Sequence, residues 1–143
     1  MERTTAVSGT ANASPGFRQN PGRRITVQTY DGVVNVTFAD AVVASTDNAL
    51  VLREQDYPAV FYIPFEDIHF ELMNRSDTTT HCPYKGNASY WNVAAGGKAE
   101  TDVMWAYEHP YDEMLPIRNH GAFYLTKVRI DAQPELRRID ANL

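Results

Sequence analysis

The chain has 143 residues, 43% of them apolar and 22% charged, which suits one globular domain able to bury a single core without covalent staples. A formal net charge of −5 offers no basic stripe of the kind that neutralises phosphates, so a nucleic-acid platform is disfavoured. One cysteine excludes an internal disulfide and a Cys-rich zinc site, and no apolar run reaches the length of a membrane span.

Residues 1–24 (MERTTAVSGTANASPGFRQNPGRR) are rich in Thr, Ala, Ser, Gly, Pro and Asn and show no hydrophobic period. They read as a disordered leader. This leader lacks the apolar stretch of a signal peptide, so a cytoplasmic location is the default and the Asn35-Val36-Thr37 triplet is accidental. The basic pairs Arg23-Arg24 and Arg137-Arg138 read as solubilising flanks.

A single domain is expected over residues 25–131. Ile25 and Val27 alternate before a turn at Asp31-Gly32, and Val34, Val36 and Phe38 line one face of the next strand. Ala39-Asp40 and Asp47-Asn48 turn the chain into strands near residues 41–45 and 49–53, and Pro58 precedes another at 60–63. Pro64 with Glu66 and Asp67 resembles a helix start, and Ile68 and Leu72, four apart, predict a short helix to about Met73. Strands follow at 79–84 and 88–93 around a corner at Lys85-Gly86-Asn87, with a turn at Gly96-Gly97. Asp102 leads a strand that puts Val103, Trp105 and Tyr107 on one face and Met104 and Ala106 on the other. Residues 111–119 read as a loop or short helix broken by Pro116, and 122–130 as one last strand. Residues 132–143 form a charged tail. Many short strands separated by turn signals predict a mainly β fold with one or two short helices.

The stretch 78–91, TTTHCPYKGNASYW, holds the cysteine, a lysine, a histidine and three aromatics around a Pro and a Gly. That mixture suits the lip of a pocket better than a plain core strand. Cys82 is a candidate nucleophile, with Lys85 and His81 as nearby sources of positive charge, or else a structural residue, since free cysteines are often buried. Lys85 is a candidate anion binder or base, or else a solvated turn residue. Trp91, Trp105, Tyr107, Phe123 and Tyr124 fall on predicted strands, and each alone reads as core. Together with the exposed-looking Tyr84 and Tyr90 they could wall a site that stacks a flat or cationic ligand. Four histidines never fall at zinc-like spacing, and no metal or cofactor is expected. Glu54 and Asp67 are a conceivable carboxylate pair that sequence does not bring together, and Asp102 could orient a pocket donor or cap a turn.

These residues form an ordered series. It runs from Glu54 through Tyr62-Ile63-Pro64 and Asp67 to Thr80-x-Cys82-Pro83-Tyr84-Lys85-Gly86-x-Ala88-x-Tyr90-Trp91. Asp102, Trp105-x-Tyr107-x-x-Pro110 and Ala122-Phe123-Tyr124 continue it. The series resembles domain-of-unknown-function family 427, a microbial group with a nucleotidyltransferase-like label, over roughly residues 25–128. The resemblance implies a β-tent-like fold, two antiparallel sheets meeting at an angle with a pocket between them. The Cys-x-x-Cys pairs of the zinc-bearing β-tent proteins and the spaced Asp-x-Asp of two-magnesium transferases are both absent. The reading that follows is a domain binding a small planar, polar or anionic molecule through Cys82, Tyr84, Lys85, Tyr90, Trp91, Trp105 and Tyr107. An enzyme using Cys82 or Lys85, and a purely structural interaction module, remain the alternatives. The expected partner is a small molecule rather than nucleic acid or membrane, and a homo-oligomer is compatible with the sequence.

Overall fold

The computed structural model describes residues 12–134. A five-residue helix α1 (Pro15–Gln19) precedes ten strands: β1 (Ile25–Thr29), β2 (Gly32–Phe38), β3 (Ala41–Thr46), β4 (Leu50–Glu54), β5 (Val60–Pro64), β6 (Met73–Cys82), β7 (Gly86–Ala95), β8 (Lys98–Ala106), β9 (His120–Phe123) and β10 (Arg129–Pro134). Among the described residues they build two antiparallel sheets, one of seven strands in the order β1-β4-β5-β9-β8-β7-β6 and one of three in the order β10-β2-β3. This is the mainly β fold the sequence predicts.

Side-chain alternation explains where the core lies. In β5, Ile63 joins Val34, Val36 and Val43 of the small sheet in the larger core cluster, while its neighbour Tyr62 joins a second cluster with Leu52, Tyr90, Tyr107, Met114 and Ile117. The same switch separates Trp91 from Tyr90 in β7, where Tyr90 stands opposite Trp105 and Trp91 opposite Met104. A one-residue step therefore decides which cluster each aromatic ring enters.

The structure departs from the sequence reading in four places. The expected helix after Pro64 is two 3-10 turns, Phe65–Asp67 and Phe70–Leu72, because Ile68 between them is extended and bridges to Ala44 of β3. The last predicted strand is two strands in different sheets, since the amides of Lys127 and Val128 both turn back to the Tyr124 carbonyl. Asp102 does not start β8 but interrupts it at φ +50°, beside a register shift between Trp91 and Val93. The irregularity puts Val103 with Met104 in the larger core rather than on the face of Trp105 and Tyr107.

The fourth departure is the leader. Residues 1–11 lie outside the described residues, but residues 12–24 are packed against the domain. Ser14, fully buried, caps α1 by accepting from the Phe17 amide and donates its hydroxyl to the Pro83 carbonyl at 3.0 Å. The Gly16 amide donates to the same carbonyl at 2.8 Å, and the Ser14 amide donates to Glu113 at 2.8 Å. Low apolar content does not prevent docking here, because backbone and hydroxyl hydrogen bonds, the Phe17 ring on Tyr84 and the Arg23–Glu54 ion pair supply the contacts.

Candidate functional site

Several strand ends bring side chains to a common cleft. β4 ends in Glu54, β5 carries Tyr62, and β7 and β8 set Tyr90 opposite Trp105. Tyr107 follows β8, and Phe123, Tyr124 and Leu125 come from the end of β9 and the turn after it. Together with Leu52, Tyr57 and Lys85, these residues line a cavity of about 510 Å³. That volume falls within the range of small-molecule sites.

Lys85 enters the cleft from the turn between β6 and β7. Gly86 opens β7 at φ +122°, a backbone conformation that L side chains rarely adopt, and the Lys85 carbonyl accepts from the Tyr111 amide at 3.0 Å. The corner is thereby fixed on both sides of the lysine. Its Nζ donates to Glu54 Oε1 at 2.8 Å and lies 4.0 Å from Cys82 Sγ. Glu54 Oε2 accepts from Arg23 Nη2 at 2.7 Å. The side chains of Lys85, Glu54 and Arg23 are only 10%, 14% and 15% exposed, so water screens this triad weakly. Burial disfavours the Glu54 charge, but hydrogen bonds from Lys85 and Arg23 outweigh it and hold the carboxyl below its usual range. The Glu54 hydrogen bond in turn raises the Arg23 guanidinium. Two cations and one anion leave the triad with one positive charge.

The phenols are neutral. Burial pushes Tyr62 and Tyr107 well above the ordinary tyrosine range, and burial followed by a hydrogen bond with Tyr90 pushes Tyr124 up to about 12. They stay protonated at pH 7 and can donate or accept hydrogen bonds. The Tyr90 hydroxyl meets Thr80 Oγ1 at 2.9 Å, and the Trp105 and Tyr124 rings lie 4.5 Å apart at a tilt of 45°.

Of the seven residues singled out from sequence, Lys85, Tyr90, Trp105 and Tyr107 line this cavity together. Cys82 stands just behind Lys85, half-buried against the Tyr62 and Tyr107 cluster and outside the lining. Tyr84 points elsewhere: its ring packs edge-on against Phe17 at 5.1 Å and its hydroxyl accepts from Asn20 at 3.4 Å. Trp91 is a correction. It is buried in the larger core, edge-on to Phe65 and Phe70 with Arg75 4.6 Å over its ring, because it follows Tyr90 by one residue on a strand.

His81 does not serve Cys82 either. It is exposed, with Nδ1 2.7 Å from Asn87 Oδ1 and Nε2 3.4 Å from the Tyr111 hydroxyl. Glu54 and Asp67 have separate partners, since Asp67 accepts from Thr46 at 2.7 Å. Asp102 holds its bulge, accepting from Thr78 at 2.7 Å while its own amide donates to Asn92 at 2.9 Å. Hydrogen bonds from Ser76 and Thr78 keep its carboxyl low.

Phe123 and Tyr124, which the sequence offers as possible walls of an aromatic site, also line the cavity, whereas it gives no site role to Tyr57 or Tyr62, or to Arg23, which binds Glu54. Tyr62 sits in the ordered series that carries the family resemblance, and that is the available signal. Arg23 had none, being one basic residue in a polar stretch. Among the described residues no three His, Cys, Asp or Glu side chains converge as metal ligands, and no helix is long and apolar enough to cross a membrane.

Two antiparallel sheets carrying an aromatic-walled, lysine-bearing cleft define the class of domain. The chain belongs to the family described as Domain of unknown function (DUF427), whose model matches residues 26–133. A comparison with curated proteins finds no match.

Proposed function

We propose that the cleft binds a small planar molecule bearing one negative charge. The observation that carries this is Lys85: an ammonium with a 10% exposed side chain reaching a cavity otherwise walled mainly by Trp105, Tyr90, Tyr107, Tyr62 and Phe123. Rings of this kind stack a flat apolar body, and a charge-assisted hydrogen bond from Lys85 orients an anionic group. Neutral phenols offer further hydrogen bonds to polar substituents on the ligand.

Binding is favoured over catalysis by two features. Glu54 already occupies Lys85, which opposes its use as a free base, and Cys82 is not among the residues lining the cavity. The test is a thermal-shift screen of planar monocarboxylates and their neutral amides. Acids should stabilise the wild-type chain more than amides do, and Lys85→Met should abolish that difference. Equal shifts for acid and amide, or an unaltered preference in Lys85→Met, would overturn the proposal.

A further inference from the structure

We infer that residues 12–24 are part of the ligand site and that Arg23, which they carry, sets its preference for an anion. This deepens the reading of the cleft just proposed and rests on it. The segment lies outside residues 26–133, so it is an addition to the part of the chain that the family model matches.

Charge is the first reason. Lys85 and Glu54, 2.8 Å apart, cancel one another. Without Arg23 the polar end of the cleft would be neutral, and a ligand anion would have to compete with Glu54 for the one ammonium. With Arg23 2.7 Å from the other Glu54 oxygen, the carboxylate is shared and one positive charge is left over. Asp56 does not cancel it: the carboxylate is 3.9 Å from Arg23 and 82% exposed, so water screens it.

Geometry is the second reason. The Arg23 guanidinium lies 5.7 Å from the Tyr57 ring centroid and 5.8 Å from that of Tyr84. Tyr57 lines the cleft, and Tyr84 is the residue before Lys85. Arg23 thus touches the lip and the lysine corner as well as Glu54. The segment is seated beside that corner by the Gly16 amide and the Ser14 hydroxyl, which both donate to the Pro83 carbonyl, and it is held further on by the Asn12 carbonyl, which accepts from the Asp112 amide at 3.0 Å. A Cβ on Gly16 would fall 2.8 Å from both the Pro83 oxygen and a Tyr84 ring carbon, so only glycine allows this approach. Arg23 is a positioning and charge-setting residue, acting on the ligand through Glu54 and Lys85.

The experiment uses the full chain and two fluorescent probes with one aromatic scaffold, 8-anilino-1-naphthalenesulfonate and the uncharged N-phenyl-1-naphthylamine. The ratio of their dissociation constants reads charge preference apart from stacking, and near-UV circular dichroism checks that each variant is folded. Wild type should favour the sulfonate. Arg23→Met should reduce that preference by about tenfold while leaving the neutral probe nearly unchanged. Arg23→Lys should restore most of the preference, because it returns the charge. Gly16→Val, which unseats the segment, should resemble Arg23→Met, and Arg23→Gln serves if the Met variant does not fold. Glu54→Gln should move the preference the other way.

If Trp105→Ala weakens both probes while Arg23→Met, Arg23→Gln and Gly16→Val leave the ratio unchanged, the cleft reading stands and the role of Arg23 is overturned. If Trp105→Ala affects neither probe, the cleft reading fails and takes this inference with it.

Discussion

Replacing Glu54 by glutamine tests the charge triad directly, because the amide keeps the shape and removes the charge. Glu54 accepts two charge-assisted hydrogen bonds, from Lys85 at 2.8 Å and Arg23 at 2.7 Å. Each bond of this kind contributes roughly 1.5–3 kcal/mol net. The amide oxygen can still accept one of them, now weaker, while the amide nitrogen turns donors toward the other cation. Lys85 and Arg23 also lose the anion that separates them. The expected cost is about 2 kcal/mol at pH 7, set by the Lys85 bond, whose two side chains are only 10% and 14% exposed.

Urea denaturation followed by tryptophan fluorescence reads this as a midpoint lowered by roughly 1 M, taking a slope of about 2 kcal/mol/M. The pH dependence has a defined sign. The folded-state carboxyl is held below its usual range, so its contribution is fully present above the ordinary glutamate range, about pH 4, and is lost as pH falls through the lower folded value. The gap between wild type and Glu54→Gln should therefore be widest near neutrality and close in acid. A gap under about 0.5 kcal/mol at pH 7, or one that does not narrow in acid, would mean that the triad is solvated and contributes little to folding.

The two tryptophans should separate cleanly. Trp91→Ala should cost about 3–5 kcal/mol, because the ring fills the core beside Phe65 and Phe70, whereas Trp105→Ala should cost less in unfolding experiments and lose most probe binding. Gly86→Ala should destabilise by about 1–3 kcal/mol, since φ +122° strains any L side chain, and should weaken anion binding by shifting Lys85; unchanged urea midpoints would show that the corner relaxes freely.

The β character of the domain, most of its turns and the glycine corner beside Lys85 were legible in the sequence alone. Alternation of Val34, Val36 and Phe38, the turn at Ala39-Asp40 and the Cys-Pro-Tyr-Lys-Gly corner all express local backbone preferences, which act over a few residues and can be read without the fold. The ordered aromatic and lysine positions added a family expectation that the match over residues 26–133 supports.

The features that local sequence left open share a cause, in that the deciding partner is far away in the chain. Trp91 and Tyr90 differ by one residue, yet the register with β8 sends one ring into the core between the sheets and the other into the cleft. The period-2 pattern of β8 broke at Asp102, where hydrogen bonds to Thr78 and Asn92 hold a positive φ. Ile68 and Leu72 were spaced for a helix, but a bridge to Ala44 pulled Ile68 out of it. Residues 12–24 read as part of a disordered leader because their composition is polar and small. They dock nonetheless, because the Pro83 carbonyl, Glu113 and Glu54, 31 to 99 residues away in sequence, supply partners for the Gly16 and Ser14 amides, the Ser14 hydroxyl and the Arg23 guanidinium. Hydrogen bonds and ion pairs at that separation leave no periodic trace in a sequence, and here they hold residues 12–24 on the domain and Arg23 on Glu54.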